Sequence, residues 1–132
     1  MPLCNWQTQT QAARQARRLF PHLVVWWATS LECTSALRRL ERARALTAQE
    51  TQQALQELDR LRQRWTEIAP QEAVRDTAQR LLDKHDLRAA DSLQLAAALV
   101  WCKAYPKGKT FVCGDAKLLA AAANEGFTVV SV

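Results

Sequence analysis

Residues 110–132, TFVCGDAKLLAAAANEGFTVVSV, predict a strand, a helix and a second strand in direct succession. The first strand ends before Gly114 and Asp115, and an aspartate there suits the N-cap of the helix that follows. Gly126 suits the C-cap of the same helix, because glycine tolerates the left-handed conformation common at that position. The apolar, β-branched residues 127–132 then predict the second strand. Two short apolar strands joined by a helix favour parallel pairing.

The same alternation of strands and helices extends upstream. Residues 23–27, LVVWW, predict a buried strand, and residues 66–69, TEIA, predict a short edge strand. Helical patterns separate these strands from each other and from the last two strands. We therefore expect a single domain over residues 1–132, of α/β class, with a parallel sheet covered by helices on both faces.

The helix starts and inward faces can be assigned from local patterns. Two sequences fit a capping box with the threonine as N-cap, Thr29 with Glu32 and Thr47 with Glu50. A third helix has inward positions at Val74, Ala78, Leu81 and Leu82, and a fourth runs from about Asp91 to Cys102. Four tryptophans occupy apolar positions of these elements, where core packing is favoured over a base-stacking role: Trp26, Trp27, Trp65 and Trp101.

The composition suits a cytoplasmic domain that folds without covalent or metal cross-links. A chain of 132 residues can bury a sufficient core. The four cysteines form no C-x-x-C pair, and Cys33, Cys102 and Cys113 lie in apolar patterns, which favours a reducing compartment and argues against a zinc site. We expect no signal peptide, since the first residues are polar and rich in glutamine. We expect no membrane partner, since the longest apolar run is short and contains Asp91 and Gln94.

Arginine is the main source of a net charge of +5. Three clusters hold most of it: Arg14, Arg17 and Arg18; Arg38, Arg39, Arg42 and Arg44; and Arg60, Arg62 and Arg64. Such clusters suit a polyanionic partner such as nucleic acid, although solvated helix faces also carry them.

Three acids are placed where buried elements begin. Asp91 lies at the head of an almost entirely apolar helix, where a buried carboxylate needs a compensating cation. Asp115 follows a strand, and Glu32 opens the helix after another strand. In open parallel sheets, functional groups gather beyond the carboxyl ends of the strands. Each acid also has a structural explanation: a first-turn acid for Asp91, an N-cap for Asp115 and the capping box for Glu32.

The remaining ionisable residues offer no competing site. Acids beside Arg or Lys on polar faces suit exposed ion pairs: Asp59, Asp76, Asp83, Asp86 and Glu57. His85 suits a favourable charge at a helix C-terminus. The chain lacks a P-loop, a dinucleotide fingerprint and a nucleophile elbow, which excludes these nucleotide-binding and serine-hydrolase classes. Three carboxylates without His or Cys are typical ligands of Mg²⁺ or Mn²⁺, and phosphodiester cleavage is the associated chemistry.

Three segments together resemble the PIN-domain ribonucleases, most closely the VapC-type toxins of bacterial toxin–antitoxin pairs. They are WATSLECTSAL at 27–37, LRAADSLQLAAA at 87–98 and FVCGDAKL at 111–118. The resemblance implies a PIN fold with Mg²⁺ or Mn²⁺ held by Glu32, Asp91 and Asp115. It also implies cleavage of single-stranded or tRNA-like RNA, a homodimer and a small inhibitory antitoxin.

The sequence departs from this family at its beginning, where a first strand ending in aspartate has no counterpart. Residues 1–4 resemble the start of the helix after that strand, and residues 11–19 its continuation. The strand would lie in the middle of the sheet, and we expect a start further upstream rather than a degraded gene.

The sequence thus supports one leading hypothesis and two others. The leading one is a metal-dependent endoribonuclease acting as the toxin of a type II pair. The alternative is a catalytically inactive PIN-like binding module that pairs with an antitoxin or dimerises. A phosphoacceptor-like signalling domain is disfavoured, because the acids are spread over two helix starts and a strand end.

Overall fold

The computed structural model describes residues 22–132 and has α/β architecture. In chain order its elements are β1 (Val24–Trp26), α1 (Thr29–Arg42), α2 (Ala48–Arg62), β2 (Thr66–Ile68), α3 (Glu72–Lys84), α4 (Ala89–Trp101), β3 (Thr110–Cys113), α5 (Ala116–Glu125) and β4 (Thr128–Ser131). The predictions for residues 1–4 and 11–19, and for the first arginine cluster, lie outside the described residues.

The four strands pair in parallel, as predicted, but in two separate pairs. Val24 of β1 is in register with Thr66 of β2, and Thr110 of β3 with Thr128 of β4. Within residues 22–132 no strand joins the two pairs, so the single sheet expected from the sequence is not found there. Helix α4 packs against β1 and β2, whereas α5 packs against β3 and β4. The α/β class is therefore confirmed in a coarser form than predicted.

Helix α4 is the centre of the main core. Its residues Leu95, Ala96 and Ala97 are almost completely buried, because the helix is apolar around most of its circumference. The core also takes side chains from α3, α5 and the strands, including Val74, Ala78, Leu81, Leu118, Ala122, Trp26 and Phe127. Ser92 is buried within it and donates a hydrogen bond to the carbonyl oxygen of Ala78 at 2.7 Å. Because this bond satisfies the hydroxyl, the polar side chain of Ser92 can be buried between α3 and α4.

Several predicted core positions are wrong. Leu82 is exposed, since the face of α3 that packs into the core consists of Val74, Ala78 and Leu81. Among the tryptophans of residues 22–132 only Trp26 is buried, at 8% exposure, while Trp27 is 54% and Trp101 42% exposed. Trp65 is partly buried, and its indole nitrogen donates to Glu67 at 3.2 Å. Apolar periodicity identified the elements but not which ring faces inward.

Helices α1 and α2, consecutive along the chain, pack against each other around a small core of their own, and we call this pair the hairpin. Leu37, Leu46 and Ala54 are buried in this second core, and Leu40 and Leu55 pack against it. The two helices make their main helix contacts with each other. The hairpin therefore contributes little to the core around α4.

One of the two capping boxes is confirmed and the other is wrong. Thr47 accepts a hydrogen bond from the Glu50 amide at 3.1 Å, and the Glu50 carboxylate accepts one from the Thr47 amide at 3.0 Å. Helix α1 instead begins after Ala28, so Thr29 is already helical and makes no side-chain cap. Glu32 therefore does not take part in the capping box that was predicted from the sequence. The caps of α5, Asp115 and Gly126, are both confirmed.

These two threonines provide a matched test of the cap assignment. We expect Thr47→Ala to lower the free energy of unfolding by about 1 kcal/mol, because an amide at the start of α2 loses its acceptor. Thr29→Ala should change it by less than about 0.5 kcal/mol. Urea denaturation of the two variants measures both values. Equal losses in the two variants would contradict the assignment.

Candidate functional site

Asp91 and Asp115 are placed by the starts of two helices at the carboxyl end of β3. Asp91 is the third residue of α4, partly buried, and the N-cap residue Arg88 makes no side-chain cap bond there. Asp115 follows β3 after Gly114, and one of its carboxylate oxygens accepts a hydrogen bond from the Leu118 amide at 2.9 Å. This N-cap uses one oxygen of Asp115. Its other oxygen makes no hydrogen bond within residues 22–132.

The two carboxylates are close enough for the charge of Asp115 to affect Asp91. Burial raises the pKa of Asp91, and the negative charge of Asp115 raises it further, against the opposing charge of Arg88. Burial also raises the pKa of the Cys113 thiol, on which both carboxylates act. The Cys113 sulfur lies 3.6 Å from the carbonyl oxygen of Asp115. Two partly buried carboxylates thus repel each other, an arrangement that a cation would relieve.

The neighbourhood of Asp91 is less closed than the sequence suggested. Ala89 and Ala90 are exposed, whereas their apolar character predicted burial. They form the first turn of α4, which extends beyond the core. Asp91 therefore borders solvent, so a charged ligand can reach it.

Glu32 is joined to the same helix through Gln94. The side-chain amide of Gln94 donates a hydrogen bond to the Glu32 carboxylate, linking the first turn of α1 to α4. Gln94 lies three residues after Asp91, about one helical turn away. Gln94 was not among the predicted site residues. The signal available there was a single amide side chain between Leu93 and Leu95 in an otherwise apolar run.

The three predicted ligands converge on the start of α4 but do not form one compact group. Within residues 22–132, no three His, Cys, Asp or Glu side chains lie close enough to share a metal ion. Mg²⁺ commonly takes only one or two carboxylates, keeping waters and substrate phosphate as its other ligands. Asp91 and Asp115 supply carboxylates in that number. Glu32 as a direct ligand stays a prediction.

Two basic residues border the acidic pair. The charge of Arg88 lowers the pKa of Asp91, and the charge of Asp115 contributes to the raised pKa of Lys117, whose largest cause is the hydrogen bond to Asp86. Lys117 donates a hydrogen bond to Asp86 at 2.8 Å, and both side chains are largely exposed. Asp86 is thus in an exposed ion pair, as predicted, and so is Glu57 with Arg60. Exposed cations can bind the phosphate oxygens of a phosphodiester, whereas carboxylates can contribute to such a site only by holding a metal ion.

A second polar cluster fixes the segment that leads into α4. Glu125, with its side chain only 8% exposed, accepts from Lys84 at 2.8 Å and lies 2.9 Å from the imidazole of His85. Burial raises the pKa of Glu125, but the hydrogen bonds from Lys84 and His85 outweigh it and leave that pKa lowered. His85 does occupy the C-cap position of α3, but its side chain binds α5. No local pattern predicts this contact, because His85 and Glu125 are forty residues apart.

Comparisons with protein families, curated proteins and solved structures found no match to this chain. None of the helices in residues 22–132 has both the length and the apolar character that a membrane crossing requires.

Proposed function

We propose that this protein is a metal-dependent endoribonuclease. The observation that carries the proposal is the pairing of Asp91 and Asp115, two partly buried carboxylates of different helices, at the carboxyl end of β3. Neither has a buried cation as partner within the described residues, and burying like charges together is costly without one. Functional sites repeatedly retain such unfavourable arrangements.

Asp91 and Asp115 are the residues that would hold Mg²⁺ or Mn²⁺. When bound, such an ion lowers the pKa of an attacking water and neutralises charge on the departing oxygen. Arg88 and Lys117 attract the phosphates of the RNA strand and orient it over the acids. Gln94 binds Glu32 about one helical turn after Asp91, and from there the Glu32 carboxylate orients water or completes the ligand set when substrate is bound.

The biological setting follows from the same resemblance to PIN-domain ribonucleases. We propose a VapC-type toxin acting on single-stranded or tRNA-like RNA, with a homodimeric assembly and a small antitoxin as partner. The cysteine pattern supports a cytoplasmic setting, since Cys33, Cys102 and Cys113 are all free thiols.

Cleavage of a single-stranded oligoribonucleotide tests the enzymatic proposal directly. We expect purified protein to produce internal cuts in Mg²⁺ or Mn²⁺ and none in EDTA. Asp115→Asn should remove the cuts, whereas Asp76→Asn, on the exposed face of α3, should retain them. Cleavage that continues in EDTA, or that survives Asp115→Asn, contradicts the proposal.

A non-catalytic binding module is the second candidate. It is favoured by two observations on residues 22–132: Glu32 is engaged by Gln94, and no three potential ligands form a compact group. This candidate predicts tight binding of a small protein partner or self-association, without metal-dependent RNA cleavage. The oligonucleotide experiment therefore separates the two candidates.

A further inference from the structure

Trp27 lies at the end of β1, beside the start of the helix that carries Glu32. Its amide donates a hydrogen bond to the Ile68 carbonyl at 3.0 Å, which extends the pairing of β1 and β2 by one residue. The next residue, Ala28, is the N-cap of α1 and accepts the Glu32 amide at 3.0 Å. The backbone on both sides of Trp27 is therefore fixed. Trp27 thus lies at the end of β1, next to the first turn of α1, where Glu32 accepts a hydrogen bond from Gln94 of α4.

More than half of Trp27 is exposed to solvent, although tryptophan is highly buried on average. Its ring meets the buried ring of Trp26 in a T-shaped contact, with centroids 6.5 Å apart and planes at 68°. The contact with a core residue restricts the indole while leaving much of its surface open. An ordered, exposed aromatic surface is what an unpaired base needs for stacking.

Trp101 provides the contrast within the same fold. It is also exposed, but it lies at the far end of α4, about 15 Å along the helix from Asp91. The ammonium of Lys109 lies 5.3 Å from the centre of its ring. This cation–π contact already occupies part of the exposed ring. Trp27 therefore differs from Trp101 in its position rather than in its exposure: it lies beside the first turn of α1, which Glu32 links to α4.

We propose that Trp27 is an RNA-binding residue that stacks against an unpaired base of a single strand whose phosphate lies over Asp91 and Asp115. This inference rests on the proposed ribonuclease function and extends it to the recognition of substrate. Arg88 and Lys117 supply the phosphate contacts that accompany stacking in single-strand binding. Stacking tolerates all four bases, so Trp27 contributes affinity rather than sequence selectivity.

Binding of a short, mixed-sequence, fluorescein-labelled oligoribonucleotide tests this role without requiring catalysis. Anisotropy is measured in EDTA and again in Mg²⁺ with wild type and three variants. We expect Trp27→Ala to weaken binding about 5- to 150-fold. Trp27→Phe should retain most of the affinity, because an aromatic face remains. Trp101→Ala should stay within about twofold of wild type.

Intrinsic fluorescence gives a second readout that a purely structural role would not produce. RNA should quench part of the tryptophan emission of wild type, and that part should be missing in Trp27→Phe. Thermal unfolding shows whether Trp27→Ala is folded, and Trp27→Phe carries the test if it is not. Failure of wild type to bind under both conditions overturns the proposal. So does equal binding by wild type and Trp27→Ala, as expected if Trp27 contacts a protein partner instead.

The outcome is separable from that of the ribonuclease proposal. Trp27-dependent binding without cleavage supports the stacking role and contradicts the enzymatic function. Metal-dependent cleavage with unchanged affinity in both Trp27 variants supports the enzyme and contradicts the stacking role.

Discussion

Asp91→Asn should lower metal-dependent RNA cleavage by about 100-fold or more. Loss of a residue that only supports a metal ligand already costs about 10- to 100-fold, so loss of a direct ligand should reach at least the upper end. The asparagine keeps the size and the first-turn position of the original residue in α4. Initial rates of oligonucleotide cleavage at saturating Mg²⁺ measure the effect, with Asp76→Asn as the exposed control.

The same variant should retain or increase the stability of the metal-free protein. The pKa of Asp91 is raised by burial and by Asp115, so the folded protein holds this proton more tightly than the unfolded chain does. The stability that this proton contributes is fully present below the pKa of Asp91 in the unfolded chain. It is lost as the pH rises through the higher pKa of Asp91 in the folded protein. Asparagine does not ionise, so Asp91→Asn does not lose stability in this way as the pH rises. An aspartate that served only the helix dipole would instead stabilise the fold, so a destabilised, fully active Asn variant contradicts the metal-site assignment.

Glu125→Ala should cause a large loss of stability, about 2–3 kcal/mol, or roughly 10 °C in melting temperature. The substitution leaves His85, itself nearly buried, without its partner and removes the link between the ends of α3 and α5. Asp86→Ala is the matched control, because its ion pair with Lys117 joins the same segment to the same helix at an exposed position. Asp86→Ala should lower the stability by only a small fraction of the loss expected for Glu125→Ala. Calorimetry of both variants measures the difference, and similar losses would show that burial of Glu125 is unimportant.

The contribution of Glu125 should also disappear in acid. Its pKa is lowered in the folded protein, because hydrogen bonds from Lys84 and His85 outweigh the effect of burial. Its stabilisation is therefore present above the unfolded pKa and lost as the pH falls through the lower, folded pKa. Wild type and Glu125→Ala should consequently converge in stability at strongly acidic pH.

The predictions from the sequence succeeded where a local pattern determines the structure. The cap formed by Thr47 and Glu50, the N-cap at Asp115 and the turn at Gly126 each depend on residues within one helical turn. Parallel pairing also followed from the alternation of elements, since a helix between two strands returns the chain to the same edge.

The predictions failed where distant residues decide between local alternatives. The predicted capping box of Thr29 and Glu32 does not form, because α1 begins one residue earlier, after Ala28. Glu32 instead accepts a hydrogen bond from Gln94, 62 residues away. Trp26 and Trp27 are equally apolar neighbours, yet only Trp26 is buried in the core, and its neighbour at the end of β1 is exposed. The proximity of Asp91 and Asp115 was predictable from strand ends, but their mutual repulsion required the folded arrangement.

The separate core of the hairpin has a consequence for how the site is assembled in time. Leu37, Leu46 and Ala54 can lose their mutual contacts without exposing the core around α4, so the hairpin can open as an independent cooperative unit. Amides of α2 should then exchange with solvent deuterium well before those of α4. Because Glu32 belongs to the first turn of α1, such opening would weaken its hold on Gln94 while Asp91 and Asp115 stay together. Of the three acids, Glu32 alone would be present in the site only for a fraction of the time.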